Sequence, residues 1–346
     1  MSLGAERVLS QRELNRALLD RQLLLGRRRE SLPRALERIG GLQAQYAPSM
    51  YIGLWSRLAG FERDKLTRAL ERRTVVQATL MRVTIHLVSA ADYWPFAIGV
   101  RAARRERWMR ARPELTAAQL RAAAARAKRR LEDGPLPRAE LIEGMDARMF
   151  NGIGMWLDLV RVPPAGTWER RRADIYGLAE HWVGAPSVTP AEGLEHLIRR
   201  YLQGFGPAAA ADIANWAGLP PRSVDKALER LELRRFRDES GGLLVDLPRL
   251  ALPAADTRAP GRFLPTWDAT LLVHCRRTLI LPEQHRSKVF HTKTPQSVPT
   301  FTVDGAVAGA WRYERGKVEL RPFEPLARAV REELEDEGQS LAAFHS

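Results

Sequence analysis

Two side-chain amides stand one residue apart in GLQAQYAPSMYIGLWSRL, residues 41–58, where Gln43 and Gln45 interrupt a run of apolar residues and glycine. An amide has no useful basicity near neutral pH, so neither glutamine can serve as a strong general base. A pair of amides can instead orient a water and offer carbonyl dipoles to a centre of developing positive charge. On a helix, residues two apart point roughly 200° apart, so both amides reach one place only from extended backbone or a helix end. Gly40-Gly41 before the pair and Pro48 after it argue against a helix running through. On residue types alone, amides that cap backbone groups in a buried turn fit the pattern equally.

The elements around this stretch must position it. The clearest pattern lies in residues 204–247, where an Ala-rich helix ends at Gly218, Leu219-Pro220-Pro221 makes the turn, and a second helix carries Val224, Leu228 and Leu231 on one face. Two short strands joined by Ser240-Gly241-Gly242 follow, completing a winged helix. The second helix exposes Asp225 and Glu229 beside Arg222, Lys226 and Arg230, a poor face for reading bases. The same order recurs less cleanly at 133–183 and in the first hundred residues, where Val76, Ala78 and Leu80 alternate as in a strand. Residues 101–130 are helical by composition, with eleven Arg and Lys against Glu106 and Glu114. Beyond residue 255 the chain turns rich in β-branched and aromatic residues, with turn signals at Asp304-Gly305 and Arg315-Gly316, and it closes on an amphipathic helix. The expected fold class is α+β, mainly α, with three tandem winged helix-turn-helix units.

Composition narrows the partners. There are 55 Lys and Arg against 41 Asp and Glu, a formal charge of +14, which favours a polyanion such as nucleic acid or an acidic membrane surface. No stretch approaches the roughly 18 apolar residues of a membrane span. Glu6, Arg7, Arg12 and Glu13 stand where a signal peptide needs an apolar run, so a soluble, cytoplasmic, nucleoid-associated protein is expected. One cysteine, Cys275, excludes an intrachain disulfide, and His285 and His291 have no acidic or cysteine neighbour at zinc spacing. No metal and no cofactor are expected. NGIGMWL supplies only Gly152 and Gly154 of a dinucleotide pattern, too little for a nucleotide site.

GLQAQYAPSMYIGLWSRL, MRVTIHLVSAADYW, LPTWDATLLVH, HRSKV and TFTVDGAVAGAWRYERGKVELRPFEP fall in an order and spacing that resembles the AlkZ and YcaQ-like bacterial DNA glycosylases, over nearly the whole chain. The resemblance implies tandem winged helices and a small β-barrel in a C-shaped basic channel around duplex DNA. It divides the chain into a first winged helix with the amide motif (1–100), a basic helical connector with the second (101–186), the third (187–254), the barrel (255–325) and a C-terminal helix (326–346). The family's catalytic motif is Gln-apolar-Gln, or Gln-apolar-Asp in the YcaQ branch, and Gln43-Ala44-Gln45 matches the first form. The resemblance implies a monofunctional glycosylase, without lyase activity, that releases N-alkylated purines from double-stranded DNA and acts as a monomer. The alternative is a non-catalytic winged-helix DNA binder, either a regulator or a damage binder.

The expected DNA contacts are Arg82, Thr84 and His86, read as alternating along an extended segment, Arg104 and Arg105 of the connector, and the run Arg170, Arg171 and Arg172. Trp267 and Asp268 are read as structural. Val83 stands where the family usually has glycine, which removes backbone freedom.

Overall fold

Glycines decide where the amide pair lies. In the computed structural model, which describes residues 7–146, 149–272, 277–290 and 296–346, the helix Leu32–Ile39 buries Ala35, Leu36 and Ile39 and stops at Gly40 in a left-handed cap, φ +76°. Gly41 follows at φ +80°, where a Cβ would stand 2.9 Å from both the Leu87 carbonyl oxygen and Val88 Cγ1. Only glycine makes this turn at this distance. The chain then enters the short strand Leu42–Gln43, paired antiparallel to Ile85–Ser89 with Leu42 opposite Leu87 and Gln43 opposite His86. Ala44 continues the pairing, its N–H donating to the Ile85 carbonyl over 2.8 Å. Pro48 stands in the first turn of the next helix, Ala47–Arg57, where its missing N–H costs nothing.

The strand belongs to a six-stranded sheet ordered Leu42–Gln43, Ile85–Ser89, Val75–Thr79, Leu159–Arg161, Ile175–Leu178 and Leu136–Pro137, each neighbouring pair antiparallel. Its centre, with Gln77 opposite Arg161 and Ala78 opposite Val160, joins strands more than 80 residues apart in sequence. The sheet and the helix Ala90–Arg110 both cross residue 100, so the first two segments are built into one another. The basic connector is helical on both sides of a break at Arg112-Pro113, where proline forbids the α-conformation of its predecessor. It resumes at Ala117–Arg130 behind a capping box of Thr116 and Gln119.

Further along, the helix Ala210–Ala217 ends at Gly218 with φ +71°, and the helix Pro221–Leu228 buries Val224 and Ala227. The hairpin Arg234–Asp238 with Leu243–Asp246 takes Val8–Leu9 as a parallel third strand. Four strands, Arg262–Leu264, Thr300–Val303, Ala306–Glu314 and Lys317–Pro322, then pair antiparallel in chain order. Their two tight turns hold Asp304-Gly305 and Arg315-Gly316 with positive φ at both residues, the twist that a two-residue hairpin loop needs. The closing helix Arg328–His345 buries Leu334 and Leu341 in a core shared with Tyr51, Leu54, Phe263, Phe301 and Trp311.

A buried ion pair locks this end of the chain to the helix that follows the amides. Arg57 donates from Nη1 and Nη2 to the two Asp268 oxygens at 2.9 and 3.0 Å, with both side chains fully enclosed. Burial opposes ionisation of Asp268, but the Arg57 guanidinium and the Thr270 N–H and hydroxyl outweigh it and hold the carboxyl below its usual value. Among the described residues no helix is long and apolar enough to cross a membrane, and no group of three His, Cys, Asp or Glu could hold a metal. Cys275 and His291 lie outside the described residues.

Candidate active site

Extended backbone at Leu42–Ala44 brings both amides onto one neighbouring segment, residues 82–86. Gln45 is exposed, and its Oε1 accepts the Ile85 N–H at 2.7 Å. Gln43 is only 7% exposed, and its Oε1 accepts Arg82 Nη2 at 2.9 Å. The two carbonyls are therefore differently loaded: one faces a neutral peptide donor at the rim, the other a half-buried guanidinium.

Arg82 is held from the opposite side of the fold. Its Nη1 donates to the Trp216 carbonyl in the last turn of the helix Ala210–Ala217, an end that carries partial negative charge. A Cβ on Gly218 would meet the Arg82 backbone at 3.2 Å, so the glycine that caps this helix also makes room for Arg82. Burial lowers the Arg82 pKa to about 10, with nearby Arg107 adding to the effect, and the group stays cationic at neutral pH.

The expected alternation of Arg82, Thr84 and His86 along one extended stretch does not occur. Met81–Val83 is a tight turn with Arg82 at φ +54° and Val83 at φ +62°. Thr84 closes it by donating from Oγ1 to the Met81 carbonyl at 3.0 Å. His86, on the strand proper, is 3% exposed and donates from Nδ1 to the Thr84 carbonyl. Burial, reinforced by the Arg82 charge, lowers its pKa to about 3, so the ring is neutral. Val83 holds the left-handed conformation that glycine adopts freely, and it packs beside Trp108, Leu120 and Met155.

The other sequence candidates fall in two places. Arg170, Arg171 and Arg172 are exposed in the loop between the strands Leu159–Arg161 and Ile175–Leu178. Arg170 and Arg172 share Asp174, each at 3.3 Å. Arg171 donates to the Tyr46 hydroxyl at 3.1 Å, so this loop reaches the residue next to Gln45. Arg104 is 5% exposed and ties the sheet to the helix Phe150–Trp156 through the Thr79 and Gly154 carbonyls. Arg105 donates to the Met155 carbonyl at 2.6 Å and lies over the Trp156 ring. Arg104 binds protein groups beneath the surface and Arg105 is half-buried, whereas Arg107, Arg110, Arg112, Arg121 and Arg126 of the same connector are exposed. Gly152 is a packing glycine, since a Cβ there would lie 2.5 Å from Leu120 and 2.7 Å from Trp108.

Sequence reasoning missed two features. A cavity of about 310 Å³ opens beside Gln45, between the sheet and the helix Phe150–Trp156, and Arg161, Asn151 and Asp158 line it. Tyr46 bridges the amide pair to the arginine loop. The adjacency of Tyr46 to Gln45 was the one available signal, because the cavity is assembled from segments more than a hundred residues apart.

Similarity to known proteins bears on what this arrangement does. A comparison with curated protein sequences finds no significant match. The structure is similar to that of the Streptomyces sahachiroi DNA glycosylase AlkZ, with a TM-score of 0.83 and 22% identity over 98% of this chain and 97% of that one. That likeness shows the α+β fold. The sequence model of the AlkZ-like DNA glycosylase family matches residues 36–344, a span holding the amide pair, the six-stranded sheet and most of the closing helix. The chain belongs to the AlkZ-like family and is a DNA glycosylase, a DNA-binding repair enzyme.

Proposed function

We propose that this enzyme hydrolyses the N-glycosidic bond of purines made cationic by N-alkylation, with Gln43 and Gln45 as its catalytic residues. Alkylation at N7 or N3 gives a base that departs without protonation. The protein then has to place a water at C1′ and stabilise an oxocarbenium-like sugar. Gln45, exposed and engaged by a neutral backbone N–H, keeps an amide free to hold that water. Gln43, whose carbonyl dipole is already partly neutralised by Arg82, fixes the geometry beside it and reaches toward the sugar. Unmodified purines leave slowly, and amides give them no acid–base help, so selectivity follows from the weakness of the site.

In this reading the paired strands of the central sheet and the hairpin Arg234–Asp246 are the wings of three winged helix-turn-helix units. With the four-stranded sheet as a small barrel, they curve as a monomer around duplex DNA. The exposed connector arginines and Arg171 and Arg172 contact phosphates. The observation that carries the proposal is the convergence of both amides on residues 82–86, with Gln45 lining a cavity. Mass spectrometry of bases released from duplex DNA treated with a panel of alkylating agents tests it. Release of N7- and N3-alkylpurines, and not of unmodified bases, is expected. A protein that releases none, yet footprints a defined operator, is a regulator instead.

A further inference from the structure

Several features of the fold serve to aim Arg82 at Gln43. Arg82 and Val83 occupy successive left-handed positions, φ +54° and +62°, without being glycine. Such strain persists only where the surroundings hold it, and it gathers at functional sites. The carbonyl of Trp216, 134 residues away in sequence, takes Arg82 Nη1, and Nη2 is left to donate to Gln43 Oε1 at 2.9 Å. Gly218 clears the way, since a Cβ there would stand 3.1 Å from Arg82 Cγ. The enclosed arginines Arg21 and Arg57 are tied to carboxylates, Asp246 and Asp268. Among the described residues Arg82 has no such partner, and its charge is directed at two neutral carbonyls.

We propose that Arg82 is a positioning residue for base excision: it fixes which way round the Gln43 amide lies and so turns the Gln43 N–H groups onto the attacking water. This rests on the glycosidase reading above. A guanidinium only donates, so the Gln43 oxygen must face it and the amide nitrogen must lie on the other side. Among the described residues that Nε2 has no hydrogen-bond partner, and it keeps contact with solvent. The Ile85 N–H fixes Gln45 by the same logic, but it takes only one of the two lone pairs on the carbonyl oxygen. A water can then accept from Gln43 Nε2–H and donate to Gln45 Oε1, which leaves its second lone pair for C1′. The charge-assisted bond to Oε1 also polarises the Gln43 amide and strengthens its N–H as a donor. A flipped Gln43 would set two carbonyls against the water's hydrogens and leave its attacking lone pair unaimed.

Two single variants, their double and a chemical rescue test this. Single-turnover release of 7-methylguanine from duplex DNA should slow about 10²-fold in Arg82→Ala, the scale of a misplaced reacting group, and about as much in Gln43→Ala. The double variant should be no slower than Gln43→Ala, because Arg82 acts through that amide. Millimolar guanidinium chloride should speed Arg82→Ala about tenfold or more over the same concentration of sodium chloride, out of the 10²-fold lost, and leave the double variant unchanged. DNA affinity and its salt dependence should match the wild type. A further loss of rate when Arg82→Ala is added to Gln43→Ala, or weaker binding with a salt slope reduced by about one, makes Arg82 a DNA contact and overturns the proposal. Rate loss that follows melting temperature and resists guanidinium makes it a structural brace, which also overturns it. If Gln43→Ala is slow and Arg82→Ala is not, this inference alone falls. If the wild type releases no alkylated base, or Gln43→Ala excises as the wild type does, the catalytic reading of the amides falls and takes this one with it.

Discussion

Removing the two amides one at a time separates chemistry from architecture, because the structure gives them unequal surroundings. Gln45 is exposed and holds one neutral hydrogen bond, from Ile85 N–H, worth about 1 kcal/mol net where water can replace it. Gln45→Ala should therefore lower the melting temperature by no more than about 3 °C. A positioned catalytic group is worth roughly 10²-fold in rate, about 2.7 kcal/mol of barrier. Gln43→Ala differs, since it strips an acceptor from the half-buried Arg82 guanidinium and should cost about 1–3 kcal/mol of stability besides activity. Gln43 fixes the geometry in which Gln45 holds the water, so the two act as a unit and the double variant should excise little more slowly than Gln45→Ala. The assay is single-turnover release of 7-methylguanine from duplex DNA, run beside thermal melting and DNA binding. If Gln45→Ala excises at the wild-type rate, or if loss of rate across the three variants simply follows loss of stability, the amides are structural and the reasoning fails.

Other outcomes follow from the same geometry. Asp268→Asn leaves Arg57 charged and enclosed, and should cost about 3–5 kcal/mol in urea denaturation. Val83→Gly releases a β-branched residue from φ +62°, a strain of about 1–2 kcal/mol, against the entropy and packing that valine provides. Its stability should stay within about 1 kcal/mol of wild type by thermal melting, and a loss well beyond that contradicts the strain argument. His86 has a folded pKa near 3 against about 6.5 in the unfolded chain, so below pH 6.5 the unfolded state binds a proton that the native state refuses. Its share of stability is complete above pH 6.5 and declines as pH falls toward 3, by about 2 kcal/mol at pH 5. Denaturant midpoints at pH 7 and pH 5 should accordingly diverge less for His86→Gln than for the wild type.

The sequence by itself determined whatever is local. Gly40-Gly41 and Pro48 bracket the amides because a left-handed turn needs glycine and a helix tolerates proline only in its first turn, so the exclusion of a helix running through Gln43 followed from residue type alone. The Gly218 cap, the Asp304-Gly305 and Arg315-Gly316 turns and the closing helix were legible for the same reason. Tertiary structure decided everything that depends on which distant surfaces meet. Arg82 was expected to contact DNA from an extended segment, and the end of the helix Ala210–Ala217 supplies a carbonyl that captures it and turns it onto Gln43. Arg104 belongs to a composition that reads as a solvated basic face, yet its helix lies against Phe150–Trp156, and burial makes it a wall of a cavity. His86 was placed by strand register, which one inserted turn at Met81–Val83 resets, since each residue of slip sends a strand side chain to the opposite face. Charge and polarity are properties of a residue. Whether a charge meets water, a carbonyl or a substrate is set by packing between segments distant in sequence, and no local pattern encodes it.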